Sequence, residues 1–313
     1  MTSQPGGTGR EAPLVAVLTV TTNAGSHLPA YLDALAAVTG PAWRLWLVDN
    51  ASADDSAGIV ERRLPDAVVL RNSANLGFTG ACNRALREIL QGDARYVLFL
   101  NDDTEVTPGF LQALVALAGE RTLVAPVTFL AGRPGHLDDA VGEFDWLRGT
   151  WKERVLGTAG GPEYRRAHEV DTANLSCLLV PVAAFHAAGL LDEAFFVYYD
   201  DTDFCRRVRE AGFRILFQPE AVVYHRKGAT LGGQLTPFGC YYLSRNRPYL
   251  IRKHLGLGPR FAVFFLYFTA TRAARLALWA AHRRWDLCRA TLAGMRDFML
   301  GRMGDGGRTL GRP

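Results

Sequence analysis

The sequence has few of the features that mark disulfide-rich or zinc-binding proteins. Its 313 residues include five cysteines, an odd number, and no two of them form a CxxC pair. Neither a disulfide framework nor a zinc knuckle is therefore indicated. Scattered cysteines of this kind are typical of a reducing compartment, so we expect a cytoplasmic protein.

Two common nucleotide-binding motifs are also missing. The first apolar run is followed by TTNAGS, which lacks the GxGxxG spacing of a dinucleotide site. A phosphate loop, GxxxxGK followed by Ser or Thr, is absent as well. If the protein binds a nucleotide, it does so by another route.

Long uncharged hydrophobic runs do not occur either. A membrane-spanning helix needs about eighteen or more apolar residues, and the nearest candidate, residues 261–271, is followed by Arg272 and Arg275. We therefore predict no spanning helix. Residues 1–13 are polar and rich in Gly and Pro, and we interpret them as a flexible leader and not as a secretory signal.

The composition is that of a folded protein with an uneven charge. Hydrophobic residues make up 49% and charged residues 21% of the chain, which excludes a disordered or collagen-like protein. The net charge is +4, but residues 250–313 carry a net +9 and the rest of the chain a net −5. Such a basic tail indicates an anionic partner, either a membrane or a nucleic acid.

The first part of the chain alternates between apolar runs and segments of helical spacing. This alternation predicts an α/β fold, with a parallel sheet covered by helices on both faces. The predicted strands are 14–21, 43–48, 67–70 and 95–100, and the predicted helices are 27–38, 54–64, 79–90 and 108–118. Three of these strands end in polar residues (21–23, 49–50 and 101–103). Ligands of such sheets bind beyond the carboxyl ends of the strands.

Beyond residue 120 the pattern is less regular. Further strands are predicted at 123–129, 175–180, 213–217 and 221–224, and an amphipathic helix at 201–211. Residues 131–170 have no clear period, so we expect loops and short strands there.

Two acidic clusters are the main candidates for chemistry. Asn101-Asp102-Asp103 follows a buried strand and could hold Mg²⁺ or Mn²⁺, or it could be an ordinary strand-to-helix turn. The second cluster, residues 200–203, has three Asp in four positions before a helix. One of these carboxylates could accept a proton from a hydroxyl nucleophile, or the cluster could cap the helix. His225, at a strand end, could complete a metal site or be a lone polar residue.

The segment 71–80 is a third candidate. Its glycines permit close approach of the backbone to a ligand, and the helix that follows favours an anion at its first turn. A plain tight loop would have the same composition.

These segments together resemble the family 2 glycosyltransferases of the GT-A fold, especially the bacterial branch with rhamnosyltransferases and galactofuranosyl-type enzymes. The matching pieces are LTVTTN (18–23), LWLVDNASADDS (45–56), RNSANLGFTGACNRAL (71–86), YVLFLNDDTEV (96–106), LDEAFFVYYDDTDFCRRVREAGFRI (191–215) and AVVYH (221–225). The resemblance implies a catalytic domain over residues 14–250, with a mostly parallel central sheet flanked by helices. It also implies inverting transfer of a sugar from a nucleotide diphosphate donor, dTDP-rhamnose or a UDP-sugar, to a hydroxyl of a cell-surface glycan or glycolipid.

The resemblance also assigns roles by position. Asp201 would be the catalytic base, with Asp200 and Asp203 as its neighbours. Asp103 and His225 would be the metal ligands for Mg²⁺ or Mn²⁺. The donor-binding residues would be Thr21, Asn23, Asp49, Asn50, Arg71, Asn75, Gly77, Phe78, Asn83, Asn101 and Asp102. Asn101 departs from the acidic residue that opens the family's DXD pattern, and this removes one charge from the metal site.

The tail, residues 251–313, is predicted to be a basic, amphipathic helical extension. It could lie on the anionic inner face of the cell membrane, or pack on the catalytic domain or another subunit. Nucleic-acid binding is not expected, because no recognised motif accompanies the charge. Trp146 and Trp151 could stack on a sugar, although burial in a loop is the interpretation we favour.

Two other functions remain open on sequence grounds. One is a sugar-nucleotide or glycan-binding protein that has lost activity, for which Asn101 is the only hint. The other is a nucleotidyltransferase, which would not explain residues 200–203 followed by AVVYH.

Overall fold

The computed structural model describes residues 14–133, 135–138, 141–152, 162–226 and 235–305. The predicted leader, 1–13, and the end of the predicted tail, 306–313, lie outside these residues. The strands are β1 (Val15–Thr21), β2 (Trp43–Asp49), β3 (Val68–Arg71), β4 (Tyr96–Leu100), β5 (Thr104–Val106), β6 (Thr122–Leu130), β7 (Val141–Asp145), β8 (Thr150–Lys152), β9 (His168–Val170), β10 (Thr172–Ala173), β11 (Cys177–Pro181) and β12 (Arg214–His225). The helices are α1 (Leu28–Ala36), α2 (Ser56–Arg63), α3 (Gly77–Ile89), α4 (Phe110–Leu117), α5 (Val182–Ala188), α6 (Asp200–Glu210), α7 (Pro237–Leu255), α8 (Pro259–Ala281) and α9 (Trp285–Met299).

The central sheet confirms the predicted α/β fold. Its strand order is β3-β2-β1-β4-β11-β6-β12-β5, with β9 added beside β12. Strands β3, β2, β1 and β4 are parallel to their neighbours, as the alternation of strands and helices predicts. Strand β11 runs antiparallel to both β4 and β6, and β12 returns to parallel pairing with β6.

Strand β12 differs from the prediction of two short strands at 213–217 and 221–224. It is one long strand whose pairing with β6 shifts between Gln218 and Val222. Pro219 lies within this shift. Proline lacks the N–H group that regular pairing needs and is found at bulges, which makes one irregular strand resemble two in the sequence.

Two hydrophobic clusters fill the two faces of the sheet. One joins the strands to buried side chains of α1, α2 and α4, such as Leu32, Val60 and Leu114. The other joins them to α3, α5 and α6 through residues such as Leu86 and Phe204. Because the strands are covered on both sides, their polar ends are where a ligand can reach the sheet.

The C-terminal helices pack beside the sheet. Two further clusters hold α7, α8 and α9 against the chain around Phe195 and Phe196. The predicted domain boundary after residue 250 lies within α7, so the division into a catalytic domain and a tail stays a prediction.

Helix α8 is longer than the apolar run that the sequence suggested, because it continues through Arg272 and Arg275. By length and composition alone it is long and apolar enough to cross a membrane, contrary to the prediction that the chain has no such helix, and only 11% of its apolar stretch is buried. The helix therefore leaves most of this apolar surface outside the core.

Candidate functional site

The polar ends of β1 and β4 meet at one edge of the sheet. The hydroxyl of Thr21 donates a 2.6 Å hydrogen bond to Asp102 Oδ2. On the other oxygen of Asp102, His27 Nε2 lies 3.6 Å away, and this carboxylate raises the pKa of His27 despite the opposing effect of burial. Asp102 is buried, and one of its oxygens is held by the hydrogen bond from Thr21.

Asp103 is differently placed. Its Oδ1 is buried and has no hydrogen-bond partner of good geometry, although His225 Nε2 lies 3.2 Å away. His225 Nδ1 lies 2.6 Å from Oδ2 of Asp138, a residue that the sequence analysis did not single out. Burial lowers the pKa of His225, but the carboxylates of Asp103 and Asp138 outweigh it and raise the pKa to about 9.

This pair has the chemistry of a partial divalent-metal site. Within the described ranges, no group of three or more His, Cys, Asp or Glu is arranged to hold a metal ion. However, Mg²⁺ is commonly bound by one or two carboxylates together with substrate phosphates. The unpaired oxygen of Asp103 and the nearby imidazole nitrogen of His225 fit that pattern, and Asp138 fits the carboxylate that orients a metal-ligating histidine.

Asn50, at the end of β2, organises the loop before α3. Its Nδ2 donates to Asn75 Oδ1 (3.0 Å) and to the carbonyl of Gly77 (3.2 Å), and its Oδ1 accepts from Asn72 Nδ2 and Leu76 N (2.9 Å each). All the hydrogen-bonding groups of the Asn50 amide are thus used inside the protein. The side chain shapes this loop and does not project from it.

Other predicted donor residues also have protein partners. Asn23 Oδ1 accepts from Ala53 N at 2.7 Å. Asn83 holds the chain at Leu191, donating to its carbonyl (2.8 Å) and accepting from its N–H (3.0 Å). Arg71 forms an exposed ion pair with Glu61.

The remaining predicted donor residues lie on the same edge. Asp49 Oδ1 accepts from Ser52 N at 3.0 Å, and Asp49 is buried at the end of β2. Phe78 is partly buried against the core, and Asn101 is half-buried at the end of β4.

Gly77 joins this loop to a second loop, residues 194–199, which precedes the acidic cluster. Its φ of +72° belongs to the left-handed region, and an added Cβ would lie 2.5 Å from the ring of Phe196 and 2.6 Å from its carbonyl oxygen. The next residue, Phe78, donates its N–H to that same oxygen at 2.7 Å. Only glycine permits this close approach.

The loop 194–199 is strained. Phe196, Tyr198 and Tyr199 have φ angles of +66°, +65° and +68°, which cost about 1 kcal/mol or more each and persist only when the surroundings impose them. Helix α7 supplies that constraint: Asn246 Nδ2 lies 2.7–3.1 Å from the carbonyls of Phe195, Val197 and Tyr198. Arg245, also buried, donates to the carbonyl of Phe195 at 2.9 Å.

The strained loop ends directly before Asp200 and Asp201, which lie in the first turn of α6. Burial, and then the charge of Asp201, raise the pKa of Asp200 well above its usual range. Burial also raises the pKa of Asp201, to about 6, although hydrogen bonds from Thr202 oppose the shift. The helix cap is Tyr199, whose side chain makes no capping hydrogen bond. All three Asp lie in the first turn of α6, and Asp201 Oδ1 accepts from Thr202 N at 2.6 Å, so the cluster also has the position of acidic residues that complement the helix dipole.

Asp203 has a different environment. Its carboxylate accepts from Arg207 Nε (2.9 Å), His254 Nε2 (2.9 Å) and Lys253 Nζ (2.7 Å). Burial raises its pKa, but the bond from His254 and the charges of Arg207 and Lys253 bring it down to about 2. Asp203 therefore ties α6 to α7 as a permanently charged group.

Trp146 and Trp151 pack around Phe144, with ring centroids 4.9 Å and 5.8 Å from its ring. Both are partly buried in a cluster with α7 and α8. Their packing agrees with the favoured interpretation of loop burial.

Three groups at this site were absent from the sequence analysis: Asp138, His27 and the pair Arg245-Asn246. Asp138 lies in a segment without periodicity, and His27 was counted only as part of a helix. Arg245 and Asn246 are buried inside α7 together with their neighbours Ser244 and Arg247, and this polar run within a helix was the available signal.

The family model for glycosyl transferase family 2 matches residues 16–195, which is more than half of the chain. The chain is a family 2 glycosyltransferase. The matched range includes the edge formed by Thr21, Asp49 and Asp102, and it ends within the loop before Asp201.

Two curated relatives are rhamnosyltransferases. The N-acetylglucosaminyl-diphospho-decaprenol L-rhamnosyltransferase of Mycobacterium tuberculosis is 29% identical over 240 residues, covering 69% of this chain and 77% of that protein. The dTDP-rhamnosyl transferase RfbF of Shigella flexneri is 24% identical over 206 residues, covering 62% and 67%. This glycosyltransferase therefore resembles the rhamnosyltransferase branch, as its sequence motifs predict.

A solved structure shows the same fold. The mannosyltransferase PcManGT from Pyrobaculum calidifontis, in complex with GDP-Man and Mn²⁺, superposes with a TM-score of 0.57 at 16% identity, covering 94% of this chain and 89% of that one. The likeness supports the GT-A fold assignment for this family 2 glycosyltransferase.

Proposed function

We propose that this glycosyltransferase transfers a sugar, with inversion, from a nucleotide diphosphate donor to a hydroxyl of a glycan or glycolipid acceptor. One observation carries the proposal: the loop 194–199, which directly precedes Asp200 and Asp201, contacts the donor-side loop at Gly77, where Phe78 N donates to Phe196 O at 2.7 Å. This contact supports the proposal that the candidate base and the polar sheet edge belong to one site.

The donor is proposed to bind at the sheet edge. Thr21, Asp49, Asn101 and Asp102 belong to the ends of its strands, and Phe78 flanks it. Asn23, Asn50, Arg71, Asn75, Gly77 and Asn83 would act mainly by shaping the surrounding loops, since their described contacts are with the protein. Both relatives are named for rhamnose transfer, and the S. flexneri relative for dTDP-rhamnose, so dTDP-rhamnose is the first donor to test and UDP-sugars are the alternative.

Asp103 and His225 would hold Mg²⁺ or Mn²⁺, with Asp138 orienting the imidazole. Such an ion, when bound, neutralises charge on the diphosphate leaving group. Oxygen ligands from the diphosphate would complete the coordination, because these two residues alone are too few. The Mn²⁺ named for the mannosyltransferase structure supports testing this ion first.

Asp201 is the proposed general base. A carboxylate with a pKa of about 6 is ionised at neutral pH and is a better proton acceptor than an ordinary Asp. It would take the proton of the acceptor hydroxyl as that oxygen attacks the anomeric carbon from the face opposite the diphosphate. One such displacement inverts the anomeric configuration.

The acceptor is proposed to be a lipid-linked glycan at the cytoplasmic face of the cell membrane. The relative from M. tuberculosis is named for a diphospho-decaprenol acceptor. Exposed apolar side chains on α8, together with the basic charge of residues 251–313, support a peripheral contact with anionic lipid.

The function is tested by incubating the purified protein with labelled dTDP-rhamnose or UDP-sugars, Mn²⁺ or Mg²⁺, and lipid-linked N-acetylglucosamine. Metal-dependent product with inverted configuration supports the proposal. Metal-dependent donor binding without transfer to any acceptor would instead favour a sugar-nucleotide-binding protein that has lost activity.

A further inference from the structure

The chain that follows α9 lies against the loop that precedes the candidate base. Gly304 N donates to the carbonyl of Ala194 at 2.9 Å. Gly301 and Gly304 have φ angles of +68° and +71°, in the left-handed region that glycine adopts without strain. The segment 303–305, although far from the loop 194–199 in sequence, is therefore a direct neighbour of its first residue.

Arg245 of α7 joins this segment to the loop. The side chain is fully buried, and it donates to the carbonyls of Gly304 (2.5 Å), Ala194 (3.2 Å) and Phe195 (2.9 Å). Its Nε donates to the side-chain oxygen of Asn246 at 2.9 Å. A buried charge is costly unless it is hydrogen-bonded. Carbonyls from the segment and from the loop together satisfy this guanidinium, so one side chain ties the two backbones to each other.

An aromatic stack extends the connection. Arg245 Cζ lies 4.7 Å from the centroid of the Tyr242 ring, and this ring stacks on Phe196 with the centroids 5.2 Å apart and the planes at 8°. The Tyr242 hydroxyl also donates to the carbonyl of Asp305 at 3.3 Å. Phe196 is the residue through which the loop contacts the donor-side loop. The segment 303–305 is thus connected to the contact between the two loops of the site.

We propose that the segment 303–305 is a positioning element of the active site, which holds the loop 194–199 through Arg245 and thereby places Asp201 at the acceptor hydroxyl. Arg245 is the positioning residue, and it acts through the loop and not on the substrate. Its donors have a fixed planar arrangement, so the carbonyls that they bind are held in place relative to one another. The inference rests on the proposed function in that it takes Asp201 to be the base.

Two truncated chains test the inference. One ends at Asp305 and the other at Arg302, so they differ only in the segment itself. Both keep the bond from Arg302 N to the carbonyl of Asp297 (2.8 Å) that closes the last turn of α9. Hydrogen exchange followed by mass spectrometry reports on the amides of 194–199, and the amides of β1 and β4 report on the sheet. This measurement needs neither donor nor acceptor.

We expect the loop amides to exchange about tenfold faster in the chain that ends at Arg302 than in the chain that ends at Asp305, because hydrogen bonds that hold the loop are lost. Exchange in β1 and β4 should be the same in both. In transfer from dTDP-rhamnose, kcat should fall by about tenfold at an unchanged donor KM. The stoichiometry of dTDP binding in the presence of Mn²⁺ should stay constant, whereas a loss of folded protein would lower it in proportion to kcat.

Arg245→Lys should reproduce the faster exchange of the loop, because a compact ammonium group cannot donate to the same set of carbonyls. Arg289→Lys, at an exposed position of α9, is the matched control and should leave the exchange unchanged. The truncated pair keeps the inference falsifiable if Arg245→Lys does not fold.

Equal exchange of the loop in the two truncated chains, or faster exchange of the sheet strands as well, would overturn the proposal. A raised donor KM with an unchanged kcat would overturn it too, by placing the segment on the donor side. A full chain that transfers no sugar would count against the proposed function instead, while the exchange of the loop would still decide whether the segment holds it.

Discussion

The donor-side sheet edge and the loop before Asp201 are built in different ways. At the edge, Thr21 ends β1 and Asp102 follows the end of the neighbouring parallel strand β4, and their side chains are hydrogen-bonded. The loop 194–199 instead depends on Asn246 and Arg245, about 50 residues further along the chain. Strand pairing positions the edge, whereas hydrogen bonds from α7 to the carbonyls of a strained backbone position the loop.

This difference assigns separate duties to the two parts of the chain. The strands that end at this site are held by backbone pairing, as β1 is with β2 and β4. The donor-binding residues at their ends therefore need little further support. The three positive φ angles of the loop would relax without α7. We infer that the C-terminal helices are required for a competent base, although they lie outside the residues that the family model matches.

Asp203→Asn is expected to cause the largest loss of stability, because it weakens the link between α6 and α7. The change removes a buried charge that Arg207, Lys253 and His254 contact. Breaking such a buried network costs about 3 kcal/mol of unfolding free energy. Urea denaturation measures it, with Asp93→Asn, at an exposed site, as the control. A loss below about 0.5 kcal/mol, the range of surface substitutions, would contradict the role of Asp203.

Gly77→Ala tests the contact between the two loops. The new methyl group would meet the ring and the backbone oxygen of Phe196, in a left-handed backbone conformation, and we expect a loss of about 2–3 kcal/mol. Thermal unfolding gives the stability, and donor binding should weaken as well. Gly109→Ala is the control, since nothing lies within 4 Å of its added Cβ. Normal stability and donor affinity in Gly77→Ala would show that the loops are not packed as described.

Asn246→Ala tests support of the loop from α7. It leaves the carbonyls of Phe195, Val197 and Tyr198 without this donor, at a cost of about 1–3 kcal/mol. Because the donor edge is untouched, we expect kcat to fall by tenfold or more while the donor KM changes little. Gln91→Ala, an amide truncation at an exposed position, provides the comparison. A rise in donor KM with unchanged kcat would place Asn246 on the donor side instead.

The smallest expected effect is the change of activity with pH near neutrality. Burial raises the pKa of Asp201 to about 6, and a general base acts in its deprotonated form. Activity should therefore be full above that pH and fall about tenfold per unit below it. A kcat/KM profile of the stable pH range measures this. A profile that stays flat down to pH 5 would exclude Asp201 as the titrating base.

The strand ends could be predicted from sequence because local signals determine them. Buried runs such as 95–100 identify the strands, and the polar residues after each run identify the edge. The contact between His225 and Asp138 could not be predicted, since the two lie 87 positions apart and Asp138 belongs to a segment without periodicity. The role of Asn246 could not be predicted for a related reason. Its partners are backbone carbonyls, and the identity of a residue does not show where its carbonyl lies.

The length of helix α8 is a third feature that the sequence did not predict. Arg272 and Arg275 interrupt the apolar run, and hydropathy alone therefore ends the helix candidate before them. The structure continues the helix, because Arg is a good helix former and the packing of Phe264, Phe268 and Trp279 requires the full length.

The central claim is that Asp201 is the base of a sugar transfer whose donor binds at a separate, preformed edge. Asp201→Asn, with Asp200→Asn as the matched control, tests it most directly. Asp200 is the adjacent carboxylate in the same helical turn, so Asp200→Asn makes the same chemical change one position away. We predict that Asp201→Asn lowers transfer by about a thousandfold and leaves nucleotide-sugar affinity unchanged, whereas Asp200→Asn keeps most of the activity. Near-normal turnover by Asp201→Asn, or an equal loss in both variants, would contradict the account.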